Sequence, residues 1–284
     1  MEIKKVAVLG GGQMGRQIAL HSAISSFEVY ITDVVPAILE KVKEWEDEYL
    51  KGRIEKGKMT EEQVAGIRER FHVVDSMEEA VRDADLVIEA VLEREDVKHD
   101  VFQKLGKMTR NDCILATNSS HMVSSMFKDD VPNPGRLCNI HYFNPALVMK
   151  LIEVVRGEHT SDETVKAAHD FALQCNKKPV VVQKEIDGFV VNNIMMAVQD
   201  EAFRLVEGGY CTFEEVDIAC ENGLNYPMGP FRLRDLMGID LGLDVAKRRY
   251  EMTGEKPLGY DTLKKLYDEG RYGKKSGHGF YDYE

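Results

Sequence analysis

The sequence predicts an α/β fold: a doubly wound, mostly parallel sheet followed by an all-helical C-terminal domain. Three observations carry this. Short aliphatic runs alternate with longer amphipathic ones through the first half of the 284 residues. A glycine-rich turn joins the first such run to the first helix. Strand-like runs then cease near Glu185.

Lys5–Leu9 (KVAVL) reads as the first strand, Gln13–Ser25 as a helix and Phe27–Thr32 (FEVYIT) as the second strand. From Ile38 to Ile54 apolar residues recur every three or four positions, the spacing of a helix face. Glu61–Arg70 is a further helix, with Thr60 as N-cap and Gln63 placed to complete a capping box. Strand patterns return at Phe71–Val74, Asp85–Glu89, Cys113–Thr117, Leu137–Tyr142, Lys150–Val155 and Pro179–Val182. Beyond Glu185 a long helix is expected over Ile186–Val206, closed by Gly208 and Gly209. Thr212 and Glu215 then frame a helix over Phe213–Asn222, and helices at Phe231–Arg249 and Tyr260–Glu269 follow. A last strand is expected at Gly279–Tyr283. These readings divide the chain into domains 1–186 and 187–284.

Composition narrows the function classes. Lys and Arg total 37 against 49 Asp and Glu, a net charge of −12, which argues against nucleic acid as a partner. No apolar run approaches the ~20 residues of a membrane span, and Met-Glu-Ile-Lys-Lys leads directly into a strand, so neither a membrane segment nor a signal peptide is expected. Cysteines at 113, 138, 175, 211 and 220 form no C-x-x-C pair, which points to reduced, buried thiols and a cytoplasmic protein. No histidine stands at metal-ligand spacing from another His or Cys, so no metal is expected. His21, His72, His99, His159 and His169 read as mostly surface residues.

Gly10-Gly11-Gly12-Gln13-Met14-Gly15 matches G-x-G-x-x-G between a strand and a helix, the Rossmann-type arrangement. The first glycine permits the tight turn, the second lets the backbone approach a pyrophosphate, and the third lets the helix pack on the strand. The helix N-terminus favours the phosphates. Asp33 ends the second strand, 18 residues after Gly15, where a carboxylate hydrogen-bonds an adenosine ribose and repels a 2′-phosphate. The pattern therefore predicts NAD rather than NADP. A plain glycine turn with an Asp helix cap is the structural alternative.

His141 ends the run Arg136–His141 before an Asn144-Pro145 turn, and Glu153 sits among aliphatics in Leu151–Val155. A carboxylate there needs a partner. Pairing with His141 would satisfy both groups and fix the imidazole tautomer. The residues alone equally allow a core histidine and an exposed-face glutamate. Lys51, Arg53, Lys56 and Lys58 cluster at the end of the long helix, where they either meet a phosphate of an anionic ligand or simply complement the helix C-terminus.

Seven segments together resemble the 3-hydroxyacyl-CoA dehydrogenase family, especially its short bacterial 3-hydroxybutyryl-CoA dehydrogenases. They are VAVLGGGQMG (6–15), DLVIEAVLE (85–93), ATNSS (116–120), HYFNPALVMKLIEVVRG (141–157), DGFVVNN (187–193), YPMGPFRLRDLMGID (226–240) and GKKSGHGFYDY (273–283). The resemblance implies an NAD-binding domain, then a helical domain that binds substrate and forms a homodimer, with the active site in the cleft between the two. It assigns catalysis to Ser120, His141, Glu153 and Asn192. It assigns cofactor contacts to Gly10, Gly12, Gln13, Met14, Gly15, Asp33, Ala90, Glu93, Lys98, Asn118 and Asn144. Acyl-CoA contacts are expected from Lys51, Lys56, Ser120 and Asn192, with a CoA-contacting lysine of the family mapping to Lys56. The implied metabolism is fatty-acid breakdown or butyrate formation.

The chain departs from the family pattern in three places. The usual N-T-S-S reads Asn118-Ser119-Ser120-His121, and Ser120 is preferred because it keeps its 21-residue distance from His141. Asp187 stands where proline is common, and Asn193 replaces an arginine. His278 replaces a lysine. The competing readings are a sugar-acid (gulonate-type) dehydrogenase, a non-catalytic dinucleotide-binding structural protein, and a β-hydroxyacid dehydrogenase with a catalytic lysine. The basic cluster and YPMGPF favour the CoA branch, and the Ser-His-Glu-Asn set argues for catalysis.

Overall fold

The computed structural model describes residues 2–283, and the chain falls into two compact units, Met1–Val190 and Val191–Glu284. The first unit is built on one sheet of eight strands: β1 (Lys5–Leu9), β2 (Glu28–Thr32), β3 (Phe71–Val73), β4 (Leu86–Glu89), β5 (Ile114–Thr117), β6 (Leu137–Tyr142), β7 (Leu151–Val155) and β8 (Lys178–Val182). Their order is β3-β2-β1-β4-β5-β6-β7-β8. Every pairing is parallel except β6 with β7. The order reverses between β1 and β4, the switch point at which such sheets open a crevice at their carboxyl ends.

Helices α1 (Gln13–Ile24), α2 (Pro36–Glu55), α3 (Glu61–Glu69), α4 (Met77–Val81), α5 (Glu95–Met108) and α6 (Asp162–Gln174) complete this unit. The central strands are apolar at nearly every position because both faces are covered. Val6 and Val8 join one apolar core, and the alternate residues Ala7 and Leu9 join the other. The capping box read at Thr60 is present: Thr60 accepts from the Gln63 amide at 3.2 Å, and Gln63 accepts from the Thr60 amide at 2.9 Å.

The second unit contains α7 (Val191–Glu207), α8 (Phe213–Gly223), α9 (Pro230–Met237), α10 (Ile239–Thr253) and α11 (Tyr260–Asp268). Phe203, Phe231, Leu243 and Leu263 are buried at its core. Two buried aspartates organise it. Asp217 accepts from the amides of Phe231 (2.8 Å) and Arg232 (3.0 Å), so it caps the first turn of α9. Asp235 accepts from the amides of Phe280 (2.8 Å) and Tyr281 (2.9 Å) and pins the C-terminal segment. A Cβ on Gly229 would lie 2.3 Å from the Asp217 carboxyl carbon. The YPMGPF and GHGFYDY segments are thus read as parts of this scaffold.

Four local expectations are corrected. The helix expected from Ile186 begins at Val191, because Gly188 and Phe189 are left-handed at φ +72° and +50°. The helix expected over Phe231–Arg249 is broken at Gly238, φ +106°, into α9 and α10. Among the described residues Gly279–Tyr283 forms no strand: Asp282 makes an isolated bridge to His278, which also bridges Gly273. The surface histidines are half-buried, and His278 is the exposed one among the described residues.

His21 shows why. It lies in α1 with its ring edge-on to buried Tyr142, and among the described residues its Nδ1 has no hydrogen-bond partner. Burial, aided by the nearby Lys177 charge, pushes its pKa down from 6.5 to about 3. The unfolded chain therefore takes up a proton that the folded chain refuses. This contribution to stability is complete above pH 6.5 and is lost as pH falls toward about 3. In urea unfolding, the stability difference between wild type and His21→Leu should shift against wild type as pH drops through that window. A difference independent of pH would contradict the buried, neutral ring.

Candidate active site

The antiparallel pairing of β6 with β7 sets His141 directly opposite Glu153. Both are buried, His141 at 3% exposure and Glu153 at 0%. His141 Nδ1 lies 2.9 Å from Glu153 Oε2, and its Nε2 lies 2.8 Å from Ser120 Oγ. The second carboxylate oxygen, Oε1, accepts from the Val190 amide at 3.0 Å. Of the two sequence readings, the paired one is the structure's: Glu153 faces inward, and His141 is engaged at both ring nitrogens. An ionised Glu153 accepts only, so Nδ1 carries its proton and Nε2 is the basic nitrogen facing Ser120. Phe143 and Phe189 stand edge-on to the imidazole, with centroids 4.6 and 5.3 Å away.

Ser120 leaves the end of β5 on a loop that Asn139 holds. The Asn139 amide accepts from the Ser124 backbone at 2.9 Å and donates to the Met122 carbonyl at 2.9 Å. Asn139 and His141 share one face of β6, so a single strand presents the base and fastens the loop that faces it. Asn118 supports the same strand by accepting from the Tyr142 amide at 2.9 Å.

The glycine turn lies at the β1–β4 switch point. A Cβ on Gly15 would fall 1.8 Å from the Gly10 carbonyl oxygen, and one on Gly10 would fall 2.5 Å from the Ala90 oxygen. Among the described residues nothing lies within 4 Å of the position a Gly12 Cβ would take, and no side chain caps α1. A tight turn, an open middle glycine and an uncapped helix end fit a pyrophosphate. Asp33 accepts from Gly11 (2.8 Å) and Val35 (2.9 Å), which fixes its carboxylate beside the turn. Gln13 donates to Asn144 at 3.2 Å, and Met14 packs on the core.

Lys98 and Glu93, read as cofactor contacts, belong to a network in which Glu89 and Lys98 are buried and Glu93 is exposed. The Lys98 ammonium lies 2.6 Å from Glu89 and 3.1 Å from Glu93. Thr117 donates to Glu89 at 2.8 Å, and Ser119 donates to Glu93. Glu89, fully buried, and Asn139 were missed from sequence. Glu89 closes an otherwise aliphatic strand and Asn139 interrupts the apolar start of β6, and that was the available signal. Asn192 lies in the first turn of α7, in the second unit. Lys51 pairs with Asp47 at 2.6 Å, and Lys56 is exposed just past α2. Among the described residues neither lysine is hydrogen-bonded or ion-paired to Ser120, His141 or Glu153, and no His, Cys, Asp and Glu side chains group as metal ligands. No helix among them is long and apolar enough to cross a membrane.

Residues 5–186 match the model of the 3-hydroxyacyl-CoA dehydrogenase NAD-binding domain, and residues 188–283 match that of the C-terminal domain. The chain is 36% identical to a probable 3-hydroxybutyryl-CoA dehydrogenase of Bacillus subtilis, over 100% of this chain and 99% of that one. It is 35% identical to the human mitochondrial hydroxyacyl-coenzyme A dehydrogenase, over 99% and 92%. The crystal structure of (S)-3-hydroxybutyryl-CoA dehydrogenase from Ralstonia eutropha superposes with a TM-score of 0.90 at 31% identity, covering all of both chains. The chain belongs to the 3-hydroxyacyl-CoA dehydrogenase family and is an NAD-dependent dehydrogenase.

Proposed function

We propose that this protein interconverts a 3-hydroxyacyl-CoA and the corresponding 3-ketoacyl-CoA, with 3-hydroxybutyryl-CoA and acetoacetyl-CoA as the substrate pair. The observation that carries the reading is the Glu153–His141–Ser120 chain, with the basic nitrogen of His141 turned toward a hydroxyl. Bound NAD supplies the hydride acceptor in the oxidative direction. His141 Nε2 takes the proton of the substrate 3-hydroxyl, and in reduction the imidazolium returns it. Glu153 stabilises that imidazolium and holds the ring by Nδ1. Ser120 and Asn192 donate hydrogen bonds to the developing oxyanion and the thioester region. Gly10, Gly12, Gln13, Met14, Gly15 and Asp33 hold the cofactor's adenosine and pyrophosphate. Ala90, Glu93, Lys98, Asn118 and Asn144 complete its site.

General base catalysis is worth roughly 10²–10⁴-fold. His141→Ala and Glu153→Gln should each lower kcat for NADH-linked reduction of acetoacetyl-CoA on that order, while NADH still binds by fluorescence titration. Near-normal turnover in both variants would reject the assignment. Turnover of L-gulonate in preference to acetoacetyl-CoA would move the protein to the sugar-acid branch.

Lys56 is proposed to meet a CoA phosphate, with Lys51 contributing less because Asp47 neutralises it. Lys56→Glu should raise KM for acetoacetyl-CoA severalfold at low ionic strength and leave kcat in place, and salt should erase the difference. An unchanged KM would assign the cluster to the helix end alone. The second unit is proposed to form a homodimer, because Ile218 and Leu224 of α8 and its C-cap are 58% and 63% exposed. Sedimentation as a monomer at micromolar concentration would refute this.

A further inference from the structure

We propose that the hydrogen-bonded pair of His121 and Asp187 is a positioning device for the proton-transfer site, closing a ring of contacts around His141; it rests on the proton-transfer role given to His141 above. His121 Nδ1 lies 3.0 Å from Asp187 Oδ1. Around the ring, Ser120 Oγ meets His141 Nε2 at 2.8 Å. His141 Nδ1 meets Glu153 Oε2 at 2.9 Å, and the Val190 amide donates to Glu153 Oε1 at 3.0 Å. The backbone then runs from Val190 back to Asp187, and His121 returns the path to Ser120, its neighbour in sequence. The base is thereby gripped from two sides, by the serine loop at Nε2 and by the 187–190 segment through Glu153.

That segment needs an anchor. Gly188 and Phe189 are both left-handed, at φ +72° and +50°, and for phenylalanine this conformation is unfavourable because its Cβ crowds the backbone. It is nonetheless the conformation that buries Phe189 to 1% exposure, edge-on to the imidazole, and aims the Val190 amide at Glu153. The His121–Asp187 hydrogen bond fastens the residue immediately before the two left-handed positions. Glu185 fastens the start of the same segment to the same loop, accepting from Ser124 Oγ and the Ser125 amide at 2.9 Å each. Two acidic side chains two residues apart thus tie one segment to the loop that carries Ser120.

The pair is partly exposed, so its effect on rate is modest, about threefold to fivefold, in keeping with exposed ion pairs. A double-mutant cycle with His121→Leu, Asp187→Asn and the double variant tests it, reading kcat, KM for NADH and Tm with acetoacetyl-CoA as substrate. Each single variant should lose about threefold to fivefold in kcat with KM for NADH and Tm unchanged. The double variant should lose no more than either single one, and Asp187→Glu, which keeps the charge, should recover most of the loss. Losses that multiply in the double variant, singles with wild-type kcat, or a kcat loss that follows a fall in Tm would each overturn the inference. An inactive wild type would instead strike the proposed reaction itself, and the inference with it.

Discussion

A buried carboxylate sets the terms for this site. Glu153 has 0% exposure in the middle of β7, where an ionised group without partners would cost several kcal/mol. Its two oxygens are met by the His141 ring and by the Val190 amide. Those partners dictate what surrounds them. The imidazole must be held in one tautomer, so its far nitrogen is left as a base. The chain must bend back at 188–190 to deliver an amide, so the helix that follows cannot start earlier. The stability requirement of one side chain and the orientation of the imidazole proposed as the base are met by the same hydrogen bonds.

Polar chemistry elsewhere in the first unit gathers at the carboxyl ends of the parallel strands, as the doubly wound arrangement demands. Gly10 follows β1, Asp33 follows β2, Glu89 ends β4, Thr117 ends β5, and His141 lies one residue from the end of β6. The Glu89–Lys98–Glu93 network, buried at Glu89 and Lys98, joins two of these ends because Thr117 donates to Glu89. Lys98 is neutralised by two carboxylates, and Ser119, which donates to Glu93, also accepts from the Met122 amide at 2.8 Å. The groups assigned to cofactor and the loop that presents Ser120 are therefore mechanically continuous.

The strands and the caps were legible in the sequence because each depends on neighbours close in the chain. β1 and β6 begin and end where the aliphatic runs do, and Thr60 and Thr212 cap as read. Legibility failed where a backbone conformation interrupts a periodic pattern. Gly238 sits inside an amphipathic run with no composition signal that it is left-handed, and Phe189 is left-handed against its own propensity. Side-chain partnership across the sheet was only half legible. Glu153 announced a need for a partner, but the register that supplies His141 belongs to the fold. Glu89 and Asn139 are polar residues in apolar strands whose partners, Lys98 and the 119–124 backbone, lie on elements distant in sequence. YPMGPF carries part of the resemblance to the family, and its physical role is to seat α9 on Asp217.

The reversal of β7 is what makes the pair possible. A parallel successor to β6 would require a crossover of a dozen residues or more, and its register would be set by the helix on the sheet face. The antiparallel return instead takes residues 143–150, and its register places 141 against 153 and 139 against 155. Lys177 holds that return in place, donating to the Ala146 and Met149 carbonyls at 2.6 Å each. A one-residue slip would put Glu153 opposite a residue of the other face and leave its charge unpartnered in the core. The antiparallel pairing of β6 with β7 thus lies where register sets the His141–Glu153 pair, while the parallel strands need only present their ends.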